Sequence, residues 1–133
     1  MTETQRATLV QTALRARETA YAPYSRYSVG AAVLTESGAI TPGCNVENAS
    51  YGLSNCAERT AIFTAACTGE RTVHAVAVAT EDGGTPCGAC RQVLAEFSPK
   101  EGTPLVVLLL DQAGAVVTET TLAELLPMAF LLR

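Results

Sequence analysis

The sequence carries little positive charge and has no long apolar run. Among its 133 residues, 9 Lys and Arg stand against 13 Asp and Glu, for a formal net charge of -4. Because proteins that bind a phosphate backbone usually present a basic surface, this balance argues against a nucleic-acid partner. The longest aliphatic run, residues 105–110, is far too short to span a bilayer, and the polar residues 1–6 do not form a secretory signal. These absences predict a cytoplasmic protein with neither a nucleic-acid nor a membrane partner.

Histidine is scarce and the cysteine count is odd. His74 is the sole histidine, and the chain has 5 cysteines. They are Cys44, Cys56, Cys67, Cys87 and Cys90. An odd number without a secretion signal favours a reducing compartment and speaks against a disulfide framework. In that compartment, clustered cysteines are more often metal ligands or redox groups.

The composition is that of a globular protein, with 48% hydrophobic and 17% charged residues. The length fits one domain over residues 1–133. Periodicity and turn residues predict the order helix, hairpin, helix, strand, helix, strand, strand, helix. The predicted strands cover residues 28–35, 39–46, 73–79, 104–110 and 115–118. This order predicts an α/β fold, a three-layer α/β/α sandwich around a mixed five-stranded sheet.

Helix signals put both chemically distinctive stretches at helix N-termini. The second helix should start near Cys56, with Ser54 or Asn55 as its N-cap. The third should start at Cys87, directly after Pro86. Each of these helices adjoins a strand, and sites in α/β folds form where strands end and helices begin.

Three cysteines in these stretches suit a catalytic zinc site. Cys87 and Cys90 are three residues apart and share a helix face, and Cys56 begins the other helix. Helix N-termini lower the pKa of a thiol and favour the thiolate, which is the form that binds metal. Three protein ligands leave one coordination position open for chemistry.

One carboxylate and two arginines accompany the cysteines. Glu58 lies two residues beyond Cys56 and could reach the open position without being a ligand. Its role there would be to take a proton from water and give it to a leaving group. Three thiolates on a divalent cation leave net negative charge, and Arg59 and Arg91 are candidates to hydrogen-bond the sulfurs.

Two other interpretations of the cysteines remain open at this point. Cys87 and Cys90 alone could form a dithiol redox site, since such motifs also begin helices. A structural zinc would need a fourth ligand, for which the candidates are Cys44, Cys67 and His74. We expect Cys44 and Cys67 to be packed or half-buried thiols instead.

Six segments resemble the small cytidine deaminases of nucleoside salvage, the homotetrameric type, and the resemblance covers nearly the whole chain. They are residues 22–25 (APYS), 29–32 (VGAA), 43–48 (GCNVEN), 56–60 (CAERT), 86–92 (PCGACRQ) and 125–127 (LLP). The resemblance implies one zinc ion per chain on the three cysteines and proton transfer by Glu58. It implies hydrolysis of cytidine and deoxycytidine to uridine and deoxyuridine with release of ammonia, a zinc-deaminase chemistry that is well described in general terms.

The resemblance also implies a set of substrate contacts. Asn45 and Glu47 would bind the ribose hydroxyls. This agrees with their spacing, because residues two apart on a strand face the same side, and with the hydrogen-bonding capacity of an amide and a carboxylate. The backbone amides of Ala57 and Cys87 are implied as contacts to substrate or water. Both lie at helix N-termini.

Three aromatic residues complete the implied pocket. The family normally has phenylalanine where this chain has Tyr27, packed near the base. Tyrosine keeps the ring, but its hydroxyl needs a partner. Tyr51 and Phe130 would reach into a neighbouring subunit's site in a homotetramer, although plain core or oligomer burial of Phe130 is an equal alternative.

Two further enzyme classes share parts of the pattern. A deaminase of a cytosine-containing antibiotic such as blasticidin S looks similar in its motifs, but Asn45 and Glu47 favour a ribose. A polynucleotide-editing deaminase disagrees with the acidic balance of the chain. A structural zinc or interaction module would leave Glu58, Asn45 and Glu47 without a role.

Overall fold

The computed structural model describes residues 1–132 and consists of one five-stranded sheet flanked by helices. The helices are α1 (Glu3–Arg17), α2 (Ala57–Cys67), α3 (Gly88–Glu96) and α4 (Leu122–Leu125), with a 3-10 turn at Tyr51–Leu53. The strands are β1 (Gly30–Thr35), β2 (Ile40–Cys44), β3 (Val73–Ala79), β4 (Val106–Leu110) and β5 (Val116–Thr121). The helix and strand order is the one that the sequence predicts.

The sheet is mixed, as predicted, with the strand order β2-β1-β3-β4-β5. β1 pairs antiparallel with β2 and with β3, and β4 pairs antiparallel with β5. β3 and β4 run parallel, so α3 serves as the crossover between them. β5 continues to Thr121, beyond the predicted residues 115–118. Its second half is polar and lies at a sheet edge, so it shows little of the hydrophobic alternation by which strands are recognised.

The two faces of the sheet bury two separate apolar clusters. On one face, Leu9 and Ala13 of α1 pack on a set of alternate strand residues that includes Ala32 and Leu108. On the other face, residues of α2, α3 and α4 pack on the intervening positions, such as Val33 and Leu109. Because successive side chains of a strand point to opposite faces, these sets make three layers, which confirms the predicted sandwich.

Gly43 lets α2 lie directly against the sheet. An added Cβ at this buried position would stand 2.4 Å from the backbone nitrogen of Ala61 and 2.6 Å from the backbone oxygen of Ala57. Only glycine therefore permits this approach. The contact fixes the first turn of α2 relative to the end of β2.

Two expectations from the sequence are corrected by the structure. Cys67 is exposed, since it is the last residue of α2 and lies off the buried stripe of that helix. The N-cap of α2 is Cys56, whereas Ser54 or Asn55 was predicted. Both alternatives have other partners: the Ser54 hydroxyl accepts from the Asn48 amide, and the Asn55 side chain donates to Thr60. Within residues 1–132, none of the helices has the length and apolarity that crossing a membrane requires.

Candidate active site

A cavity of about 430 Å³ lies at one end of the strands, where three strands and two helices meet. Gly30 at the start of β1 pairs with Cys44 at the end of β2 and with Ala79 at the end of β3. The segments that continue from these strand ends, together with the first turn of α2 and the N-cap residue of α3, line the cavity. The volume is in the range of small-molecule sites.

Three thiols lie together at this end of the strands. The sulfur of Cys87 is 3.9 Å from that of Cys56 and 3.6 Å from that of Cys90, and all three sulfurs lie within 4.8 Å of one another. Tetrahedral zinc with Zn–S bonds of about 2.3 Å requires sulfurs about 3.8 Å apart. The spacing of the thiols therefore fits a zinc ion. A dithiol site of Cys87 and Cys90 alone would not explain why the Cys56 sulfur lies beside them.

Two of these cysteines are helix N-caps that make no side-chain capping hydrogen bond. Cys56 caps α2, Cys87 caps α3, and Cys90 is the third residue of α3. Serine or asparagine at these positions would turn its oxygen back to the helix amides. A cysteine N-cap leaves its sulfur directed at the neighbouring sulfurs, and the positive end of each helix dipole then favours thiolate.

The electrostatics of the cluster favour a thiolate at Cys56. Hydrogen bonding from the Cys90 thiol and from Arg59 lowers the pKa of Cys56 to about 5, although burial opposes the shift. Hydrogen bonding to Cys56, together with burial, raises the pKa of Cys90. The Arg59 guanidinium donates from Nη2 to the Cys56 sulfur over 3.1 Å, as the sequence suggested. A negative sulfur and a proton-bearing neighbour are the state expected of a thiol cluster that exchanges protons for metal.

Arg91 does not contact a sulfur, which corrects the second arginine prediction. Its Nε donates to the backbone oxygen of Pro86 over 2.8 Å, and its Nη1 donates to that of Leu125 over 2.8 Å. The fork of the guanidinium suits two backbone carbonyls that would otherwise lack donors. Arg91 therefore ties the end of α4 to the start of α3.

The other metal-binding residue types lie outside the cluster in the described part of the chain. The metal-compatible group comprises Cys56, Cys87 and Cys90 alone. Cys44 exchanges weak hydrogen bonds with Thr19, and the His74 ring is 3.8 Å from the Glu36 carboxylate. A closed four-ligand structural zinc would need one of these donors, so the arrangement favours a site with an open position.

Glu58 is the buried acid of the site. Its side chain is 4% exposed and lines the cavity next to Cys56 and Ala57. Burial raises the pKa of Glu58 to about 7, and the nearby negative sulfur of Cys56 adds to the shift. A carboxyl group with a pKa near neutrality can both accept and donate a proton, which is the property required of a general acid and base.

Asn45 and Glu47 follow β2 and line the same cavity, and both hold the segment 21–29 in place. The Asn45 amide accepts from the Val29 amide over 2.9 Å and donates to the Tyr27 carbonyl over 2.9 Å. Glu47 accepts from the backbone amides of Tyr24 and Ser25 at 3.0 and 3.1 Å, and from the Ser25 hydroxyl. The Asn45 amide and the second Glu47 oxygen, which accepts only from the Ser25 hydroxyl, retain capacity for a further bond to a ligand.

Tyr27 lines the cavity and its hydroxyl has a partner that the sequence did not reveal. It donates to the Asp82 carboxylate over 2.6 Å. Asp82 follows β3, and the buried Thr80 hydroxyl donates to it over 3.2 Å. Ser25, Thr80 and Asp82 were absent from the predicted site. The one available signal was that a tyrosine hydroxyl in a pocket requires a hydrogen-bond partner.

The two remaining aromatic predictions have different positions. Tyr51 lines the cavity of its own chain, is 75% exposed and packs edge-on against Tyr24 with ring centroids 6.1 Å apart. Phe130 is 69% exposed and does not line this cavity, and its carbonyl accepts from the Gln92 side chain over 2.8 Å. Whether either ring reaches a neighbouring subunit stays a prediction.

Known proteins match this chain over nearly its whole length. Residues 3–105 match a family model described as the cytidine and deoxycytidylate deaminase zinc-binding region. The chain is 50% identical over 127 residues to a cytidine deaminase of Halalkalibacterium halodurans, covering 94% of this chain and 93% of that protein. It is 43% identical over 120 residues to a cytidine deaminase of Mycobacterium tuberculosis, covering 89% and 84% respectively.

Solved structures give the same result. The crystal structure of cytidine deaminase from Burkholderia pseudomallei superposes with a TM-score of 0.84 at 50% identity, covering 98% of this chain and 100% of that chain. The crystal structure of the Mycobacterium tuberculosis enzyme superposes with a TM-score of 0.81 at 40% identity, covering 96% and 98%.

Proposed function

The chain belongs to the cytidine and deoxycytidylate deaminase family, and from that premise we propose how its site works. Its reaction is the zinc-dependent hydrolytic deamination of free cytidine and deoxycytidine, which yields uridine or deoxyuridine and ammonia. The observation that carries this conclusion is the buried Glu58 carboxyl group in a cavity walled by three clustered thiols. A structural metal site would not require a buried acid with a pKa near 7.

Cys56, Cys87 and Cys90 would hold the zinc ion. When bound, zinc would supply Lewis-acid chemistry that makes a water molecule in the site more acidic. Arg59 offsets the negative charge of the thiolates through its bond to the Cys56 sulfur. The starts of α2 and α3 contribute the positive ends of two helix dipoles to the same point.

Glu58 moves the protons of the reaction. It accepts a proton from the attacking water and passes it to the departing amine, so that one carboxyl group serves both steps. Its burial matters because the carboxylate would otherwise be too weak a base at neutral pH. Proton transfer of this kind accounts for about 10²- to 10⁴-fold in rate.

Asn45 and Glu47 bind the sugar hydroxyls, and Tyr27 packs beside the base. The backbone amides of Ala57 and Cys87 contact the substrate or water. Among the described residues, the charged side chains that line the cavity are Glu47, Glu58 and Arg59. Since Arg59 is bonded to Cys56, the lining offers no free cation for a phosphate, which favours nucleosides over nucleotides or polynucleotides.

The enzyme works as a homotetramer in the cytoplasm, with sites at subunit interfaces. This part of the proposal rests on the resemblance and on exposed apolar residues near the cavity, such as Tyr51 and Leu53, and in the C-terminal segment, such as Phe130. A monomer would leave these groups in water, whereas a subunit contact would cover them. Sedimentation analysis of the purified protein measures the assembly directly.

One preparation tests the function. Zinc analysis should give about one ion per chain, and the ultraviolet absorbance of cytidine should fall as it is converted. Blasticidin S in the same assay separates a nucleoside deaminase from an antibiotic deaminase. Zinc-loaded protein that converts no cytosine compound would overturn the proposed reaction.

A further inference from the structure

The backbone of Tyr27 connects the two proposed sugar-binding residues. Its carbonyl accepts from the Asn45 side chain over 2.9 Å. Its amide donates to the Ser25 hydroxyl over 3.0 Å, and that hydroxyl in turn donates to the Glu47 carboxylate. A shift of Tyr27 would therefore move both groups that hold the sugar.

The side chain of Tyr27 is fixed from the opposite side by the loop that precedes Cys87. Its hydroxyl donates to Asp82 over 2.6 Å. The Thr80 hydroxyl donates to the same carboxylate oxygen over 3.2 Å and accepts from the amides of Gly83 and Gly84 at 2.7 and 2.9 Å. Thr80 is 2% exposed, so the side chain that donates to Asp82 is buried and is itself fixed by hydrogen bonds. The mutual hydrogen bond lowers the pKa of Asp82, and burial together with that bond raises the pKa of Tyr27.

Gly84 provides the space that the Tyr27 hydroxyl occupies. An added Cβ there would lie 2.6 Å from the hydroxyl oxygen but 3.8 Å from the ring carbon that bears it, and 3.5 Å from an Asp82 oxygen. The first distance is too short for any contact, while the others are ordinary. The glycine is therefore matched to a tyrosine at position 27 and not to a phenylalanine.

We propose that Asp82 is a positioning residue for nucleoside binding, which acts by holding the Tyr27 ring in the cavity wall and, through the Tyr27 backbone, by orienting Asn45 and Glu47. Asp82 does not line the cavity, so it acts on the substrate through Tyr27. The proposal rests on the proposed function, because it assigns Asp82 to the sugar-binding half of that site. It makes the Tyr27 hydroxyl a structural group and leaves the proton chemistry to Glu58.

Steady-state kinetics on two nucleosides test the proposal. Asp82→Ala should raise the KM for cytidine by about three- to tenfold, as expected for one lost hydrogen bond, and change kcat by less than about twofold. With 2′,3′-dideoxycytidine, which lacks the 2′- and 3′-hydroxyls, the KM should change by less than about twofold. Asp82→Asn, whose amide oxygen can still accept the hydroxyl proton, should restore most of the cytidine affinity. Glu81→Gln removes a neighbouring charge that makes no bond to Tyr27 and serves as the matched control.

A second pair of variants tests the spatial match. Gly84→Ala should displace the Tyr27 hydroxyl and raise the KM for cytidine about as much as Tyr27→Phe does, again about three- to tenfold. In the Tyr27→Phe background, Gly84→Ala should add less than about twofold, because the clashing oxygen is gone. This pair also carries the test if Asp82→Ala fails to fold.

Several results would overturn the proposal. They are an unchanged KM in Asp82→Ala, an equal loss with cytidine and dideoxycytidine, and full additivity of Gly84→Ala with Tyr27→Phe. All are read relative to the unmodified enzyme. Failure of the proposed function is a separate result, since the unmodified protein would then not convert cytidine at all.

Discussion

The starts of α2 and α3 carry similar motifs but differ in their surroundings. Each helix has a cysteine N-cap without a capping bond. The first turn of α2 is buried: Ala57 is fully covered and Glu58 is 4% exposed. At the start of α3, Cys87 and Gly88 are exposed. The chain thus has two helices that begin with a cysteine N-cap. The first turn is buried in α2, whereas the start of α3 is exposed.

Both helix starts contribute sulfurs to the cluster, but the covered start alone also carries an acid. An acid at the covered helix start loses water and gains a pKa near 7, whereas an acid at the open start would keep an ordinary pKa. The open start contributes the sulfurs of Cys87 and Cys90. The helix dipole favours their thiolate form, and the hydrogen bond from Arg91 to the Pro86 carbonyl stabilises the backbone that precedes them. Burial, rather than the motif itself, distinguishes the α2 start, where we propose that the catalytic acid lies.

Removing the acid at the buried helix start should have the largest effect of the changes considered. Glu58→Gln keeps the size and polarity of the side chain but cannot accept a proton. We expect kcat to fall by about 10²- to 10⁴-fold while zinc content stays near one per chain. Turnover and metal analysis on one sample measure both, and near-normal turnover would show that Glu58 does not move the proton.

The two arginines should respond differently to the same change. Arg59→Lys loses a planar donor to the Cys56 sulfur, so we expect zinc affinity to fall by about 10- to 100-fold. Arg91→Lys loses up to two bonds to backbone carbonyls, and should lower the free energy of unfolding by about 1–2 kcal/mol with unchanged zinc affinity.

Competition with a chromophoric chelator measures the zinc affinity of both variants, and denaturant unfolding measures their stability. If Arg91→Lys weakened zinc binding as much as Arg59→Lys, the distinction between the two arginines would be wrong.

A pair of glycines compares how tightly the backbone is packed near each helix start. Gly43→Ala would push α2 away from β2, and should cost about 1–3 kcal/mol of stability because backbone atoms cannot yield easily. Gly88→Ala at the open start of α3 meets no atom within 4 Å and should change stability by less than about 0.5 kcal/mol. Thermal or denaturant unfolding compares them, and equal effects would show that both helix starts are equally constrained.

The sequence predicted most of the fold and the grouping of the three cysteines, because periodicity and helix-start signals are local. The same signals failed where a contact depends on distant backbone. Tyr27 and Asp82 are 55 residues apart and meet only through the antiparallel pairing of β1 with β3. Arg91 was misassigned because its neighbour Cys90 is a cluster member, whereas its guanidinium extends toward the end of α4.

The same local signals could not place the N-cap of α2. Serine and asparagine cap helices well, so residues 54 and 55 were favoured. Which residue caps is decided by where the chain turns after its bridge between Val46 and Asn55, and that bridge is a tertiary contact.

The three clustered sulfurs also join parts of the chain that are 31 residues apart in sequence, at Cys56 and Cys87. In the unfolded chain no such site exists, so the free energy of zinc binding is added to that of folding. The metal thereby fastens α2 to α3 across a short interface. Chelation should then lower the melting temperature as well as the activity, and reconstitution should proceed best during refolding.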